Sequence, residues 1–171
     1  MGVTLAPALL LSMPQLLDPN FNRTVVLLCK HSEDGAFGLV VNRPLVTAAR
    51  DLDVWVGGPV EPERSWILVG HEGAEREGQG IKVSDGLYLS TSPDLLHRLL
   101  GPAPPTRTRL IVGHARWAPG QLEDELEASA WLISDVDADL IFGTPADRMW
   151  EVAIRRLGAD PATLQMSRGV H

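Results

Sequence analysis

The chain has 171 residues, 44% of them apolar and 22% charged, enough apolar surface for one core and too ordinary a charge content for a disordered or fibrous chain. Its single cysteine, Cys29, excludes an internal disulfide and a multi-cysteine zinc site and fits a reducing compartment. The formal net charge of −7 equals that of one segment, Gln121 to Asp139, where Glu123, Asp124, Glu125, Glu127, Asp135, Asp137 and Asp139 stand without a Lys or Arg, so nucleic acid is disfavoured as a partner and a solvated helix face followed by a loop is expected there.

From the N-terminus, Val3 to Leu17 is apolar but carries Pro7 and Pro14, and no Lys or Arg precedes Arg23. A secretory signal would need a basic start, and no uncharged run reaches the ~20 residues of a membrane span, so a cytoplasmic protein without membrane attachment is expected. Runs of β-branched or alternating residues predict strands at Thr24–Cys29, Phe37–Val41, Val54–Val56, Trp66–Val69, Ile81–Val83, Leu87–Ser90, Arg109–Val112, Trp131–Ser134 and Ala138–Phe142. Glu33-Asp34-Gly35, Gly57-Gly58-Pro59, Glu72-Gly73 and Asp85-Gly86 supply the turns between them. A short helix is predicted from Thr47 to Asp51. A second follows Ser92-Pro93-Asp94, with Leu95, Leu96, Leu99 and Leu100 as its apolar side, and stops at Gly101-Pro102. A third runs from Pro119 to Ser129 on Leu122 and Leu126. The last is capped by Thr144, starts at Pro145 and buries Met149, Trp150, Ala153, Ile154 and Leu157 before Gly158.

Neither a repeat nor a long linker divides residues 1–171, so one domain is expected. Early strands are joined too tightly for the helical crossovers of parallel pairs. The fold class is therefore α+β, a mostly antiparallel, curled, barrel-like sheet flanked by a few helices.

Chemical motifs thin out quickly. There is no phosphate loop, no dinucleotide fingerprint and no nucleophile elbow, and the five histidines hold no i, i+4 pair, so no cofactor or metal is expected. Asp135-Val136-Asp137-Ala138-Asp139 opens like a calcium loop, but Leu140 and Ala146 stand where its glycine and glutamate belong. Cys29 ends an apolar strand, where a thiol is inert. The pairs Arg107/Arg109 and Arg155/Arg156 lack the aromatic interleaving of a nucleic-acid face and read as salt-bridged surface arginines.

A polar constellation at strand ends remains: Asp18, Asn20 and Arg23 before one strand, Asn42 and Arg43 after the next, Gly57 and Gly58 after a third, with Trp117 and Gln121 further on. Guanidinium forks, amides and glycine N–H groups suit a small anionic ligand. The same residue types also cap turns and tie loops through carbonyl hydrogen bonds. Two other functions stand beside a binding or regulatory module: direct DNA binding, against the charge, and catalysis by His31, His71 or His114, against the missing nucleophile and cofactor motifs, which points away from an enzyme.

Four segments in order, Met13 to Val26, Gly35 to Pro44, Gly57-Gly58-Pro59-Val60 and Trp117 to Glu123, resemble signatures of the AlgH/YqgE family. The resemblance implies a bacterial cytoplasmic α+β protein with a curled sheet. Members carry the label of transcriptional regulators through an association with alginate production, and no catalytic residues are agreed, so none is carried over. From the polar constellation, not from the resemblance, the partner expected is a small anion or another protein. Where the family commonly reads Gly-Tyr-Ala-Gly, this chain has Gly113-His114-Ala115-Arg116, so a positive φ required at position 116 would strain an arginine.

Overall fold

The computed structural model describes residues 4–13, 23–45, 54–70, 80–102 and 107–162. The predicted helix from Thr47 to Asp51, the site candidates Asp18 and Asn20, and His71 lie outside these residues.

Ten strands among the described residues belong to one sheet: β1 (Ala8–Ser12), β2 (Val25–Ser32), β3 (Gly35–Val40), β4 (Pro44–Leu45), β5 (Val54–Val56), β6 (Val60–Val69), β7 (Gly80–Ser84), β8 (Leu87–Ser90), β9 (Thr108–Trp117) and β10 (Trp131–Ser134). Four helices accompany them: α1 (Pro93–Leu99), α2 (Gln121–Glu127), α3 (Ala138–Gly143) and α4 (Ala146–Arg156). Eight strands run in the order β10-β1-β2-β3-β9-β6-β8-β7 and curl into an antiparallel half-barrel. The fold class is thus α+β, as expected from the sequence.

β3 and β9 are paired only at one end, Ala36–Gly38 against Ala115–Trp117. Beyond that β5 lies parallel to β9, Val54–Val56 beside Leu110–Val112, and Gly57 bridges the two sides by donating to the Val112 carbonyl while accepting from the Val40 N–H, both at 2.8 Å. A Cβ on Gly57 would overlap the Gly113 carbonyl oxygen, and Gly58, at φ +150°, lies against the His114 backbone. The paired glycines therefore permit a close approach of two backbones.

Two predictions give way here, and one strand is added to those expected. Ala138–Phe142 is helical, not a strand, because Asp137 caps it, its carboxylate accepting from the N–H groups of Asp139 and Leu140. Thr144 is no cap: α4 begins one residue later than predicted, with Pro145 at its N-cap and no side-chain hydrogen bond there. β1 was not predicted at all. All five of its residues are buried, since it lies between β2 and β10 with its alternate side chains on two covered faces. The resulting apolar run carries no strand alternation.

The core follows from that alternation. Leu9, Leu11, Val25, Leu27 and Leu39 meet Leu140, Ile141, Met149, Trp150 and Ile154 of α3 and α4 on one face. Leu10, Val26, Leu28 and Val40 meet Trp117, Leu122 and Trp131 on the other, while α1 covers Ile67, Val69 and Tyr88 with Leu95 and Leu99. Each fully buried Leu or Ile contributes about 1.5–3 kcal/mol. Arg116 keeps an ordinary negative φ within β9, so this strand accepts a side chain there without strain.

Candidate functional site

The end of β2 and the end of β3 are sewn together by one side chain. Asn42 accepts the Val25 N–H at 3.0 Å and donates to the Arg23 carbonyl at 3.1 Å, continuing the β2–β3 ladder one step past Val41, whose N–H bonds to the Val25 carbonyl. It thereby holds Arg23 in the left-handed region, φ +49°, where a residue with a Cβ is strained. Buried Thr24 offers its hydroxyl oxygen to Arg43 at 2.8 Å and its N–H to the Ser12 hydroxyl at 2.7 Å. The Arg43 carbonyl accepts from the Val56 N–H, so the third strand end backs the second.

α4 closes this corner. Trp150 donates its indole N–H to the Ser12 carbonyl at 2.8 Å, which fixes the helix on β1. The Arg23 guanidinium stands 5.0 Å from the Trp150 ring centre and pairs with Glu151. Between them lies a hollow of about 180 Å³ lined by Arg23, Asn42, Arg43, Ala146, Asp147 and Trp150. Arg23, Asn42, Arg43 and the first turn of the 11-residue α4 thus line one hollow, with Asp147 there and Glu151 on Arg23 as the opposing charges.

The other site candidates are elsewhere or differently engaged. Gly57 and Gly58 lie in the backbone bridge described above. The Trp117 and Trp131 indoles donate to Oε1 of Glu125 at 2.9 and 2.8 Å, Gln121 donates to its Oε2 at 3.0 Å, and Gln121 also accepts the Ala118 N–H. That loop is a knot around one carboxylate. Sequence reasoning missed Trp150 and Glu151 as neighbours of Arg23, because α4 reaches it from more than a hundred residues away and shows only an apolar periodicity.

Cys29, His31 and His114, the described candidates for acid–base or nucleophilic chemistry, are each buried or already engaged. Burial pushes the Cys29 thiol up to about 12, so it stays protonated. A bulge between Leu28 and Lys30 interrupts the alternation that would align Cys29 with His31. His31 accepts the Leu5 N–H on Nδ1 and faces Glu123 through Nε2 at 3.3 Å. His114 is fully buried, and burial first, then Arg116, holds its pKa below the ordinary histidine value. No group of three or more His, Cys, Asp or Glu converges on a metal position among the described residues, and no helix there is long and apolar enough to cross a membrane.

A curled antiparallel sheet with helices on its faces defines an α+β half-barrel. A family model described as AlgH-like matches residues 9–162, and the chain belongs to that family. It is 42% identical over 182 residues to a UPF0301 protein of Myxococcus xanthus, covering 98% of each, and 38% identical over 177 residues to one of Ruegeria pomeroyi, covering 94% and 96%. The solution structure of the AlgH protein from Pseudomonas aeruginosa superposes with a TM-score of 0.74 at 31% identity over 96% of both chains. A crystal structure from Corynebacterium diphtheriae, 22% identical with a TM-score of 0.73 over 96% of this chain and 92% of that one, shares the fold.

Proposed function

We propose that the protein is a regulatory binding module that takes a small anion, such as a phosphate or carboxylate, in the corner between Arg23, Asn42, Arg43 and the start of α4. The observation that carries this reading is that Arg23, Asn42, Arg43 and the first turn of α4 line one hollow. About 180 Å³ suits an inorganic anion or the anionic end of a larger molecule. Gly57 and Gly58 take part indirectly, by holding the strand end whose Val56 N–H fixes the Arg43 backbone. The regulatory half of the reading rests on the label carried by similar proteins.

A thermal-shift screen of phosphate, sulfate, small carboxylates and nucleotides tests it. One of these should raise the melting temperature in a concentration-dependent way, with Arg43→Ala losing the rise and Arg43→Lys keeping part of it. Equal responses of wild type and Arg43→Ala, or no response to any anion, would remove the proposal.

A further inference from the structure

A second cleft, independent of that corner, opens between β2–β3 on one side and β6–β8 on the other. It measures about 270 Å³. Its walls are Phe37, Trp66, Val83 and Leu89, with His114 beneath them: the Phe37 and Trp66 rings are 5.0 Å apart, and His114 lies 5.0 Å from Phe37 and 6.1 Å from Trp66. The cleft is further lined by the cations Lys30, Arg64, Lys82 and Arg116, and by no carboxylate among the described residues. This is unusual in a chain of net charge −7. Lys82 pairs with Asp85 at 2.9 Å, and Arg64 stacks on Trp66 at 4.4 Å and pairs with Glu61 at 3.9 Å, while Lys30 and Arg116 are exposed and form no ion pair among the described residues.

A second observation points the same way. Trp66 Nε1 and both ring nitrogens of His114 are buried with no hydrogen-bond partner. Native interiors keep few such atoms, and those they keep call for an explanation. Three of the four such side-chain atoms among the described residues belong to rings at this cleft, the fourth being Trp55 Nε1 elsewhere. Apolar walls, a cationic surround and unused polar atoms are the usual ingredients of a small-molecule site, and the volume restricts the occupant to about one ring with a short arm.

We infer that this cleft binds a small aromatic monoanion, its ring packed against the outer face of the touching Phe37–Trp66 pair and its carboxylate at Lys30 and Arg116. The flat walls select the ring, and the cations select the charge. Neither selection involves Arg23 or Arg43, so this site stands or falls separately from the first.

The test is a titration of the ¹⁵N-labelled protein with phenylacetate, followed by amide and indole resonances, beside phenylacetamide as the uncharged analogue and acetate as the charge without a ring. Phenylacetate should shift Trp66 and Phe37 saturably, and the other two should bind at least about tenfold more weakly. Replacing exposed Lys30 and Arg116 by alanine should lower phenylacetate affinity by about tenfold while the spectrum stays that of a folded protein. The inference is overturned by equal binding of the acid and its amide, by indifference to the two substitutions, by saturable shifts centred on Arg23 and Arg43 instead, or by no saturable shift.

Discussion

At the residue scale His114 couples proton binding to folding. It is buried neutral, its folded-state pKa lowered from the ordinary 6.5 first by desolvation and then by Arg116, against a smaller opposing pull from Glu61. The unfolded chain takes up a proton as pH falls through about 6.5, whereas the folded chain resists, so the unfolded state binds more protons there and stability declines toward acid. Urea midpoints at pH 7.5 and 5.5 should therefore differ more for wild type than for His114→Phe, which has nothing to titrate at that position. Equal differences would show that His114 carries no charge penalty. Asn42 illustrates the complementary case of a residue recognised without its role. Its loop position and amide were visible in the sequence, but both halves of that amide act as substitute backbone, accepting from Val25 and donating to Arg23, and this depends on a strand pairing that composition does not reveal. The acids between Gln121 and Asp139 carry a similar lesson: Glu125 holds two indoles, Asp137 caps α3 and pairs with Arg156, and Asp139 meets Arg107 at 3.0 Å, so this stretch is more than a wetted surface.

Among the elements, those with one solvated face or clear punctuation were legible. β8 and β10 match their predicted bounds, and α1 was given by Ser92 capping ahead of Pro93, with the Ser92 hydroxyl accepting the Leu95 N–H at 3.3 Å. β1 and α3 were not legible. A strand covered on both faces and a six-residue helix both read as short apolar runs, and only tertiary packing decides between them. The bridge of β5 to β9 was read as a turn because Gly57-Gly58-Pro59 has turn chemistry, although its glycines exist for contact. The contrast can be measured. Ala at position 58 would overlap the His114 backbone and must hold φ +150°, so Gly58→Ala should cost about 3 kcal/mol. Gly86, at φ +72° with nothing near its Cβ position, bears only the backbone term, so Gly86→Ala should cost about 1 kcal/mol. Denaturant unfolding of the two variants separates close approach from turn geometry, and equal losses would refute the bridge as the reason for Gly58.

For the whole molecule, charge bears on whether the protein can contact DNA directly. The net charge of −7 and the acidic segment act against approach to a duplex, while the cations that do cluster, Lys30, Arg64, Lys82 and Arg116, line a recessed cleft instead of a flat stripe. Arg107 and Arg156 are occupied by Asp139 and Asp137. Suppose all four cleft cations nevertheless met phosphates: each contact contributes about −0.9 to the slope of log affinity against log salt, so the slope could not exceed roughly −3.6. At physiological salt that leaves no specific binding without base contacts, and among the described helices the arginines of α4 stand beside Asp147 and Glu151 and make no purely basic face. Fluorescence anisotropy with a labelled duplex carrying the protein's own promoter region should accordingly show no complex tighter than about 100 µM at 150 mM salt. Saturable binding with a slope steeper than about −4 would require phosphate contacts beyond the cleft and would place direct DNA recognition ahead of the anion-binding reading. Weak binding with a shallow slope, lost on replacing Lys30 and Arg116, would trace instead to the cleft whose cations are better disposed toward a small anion.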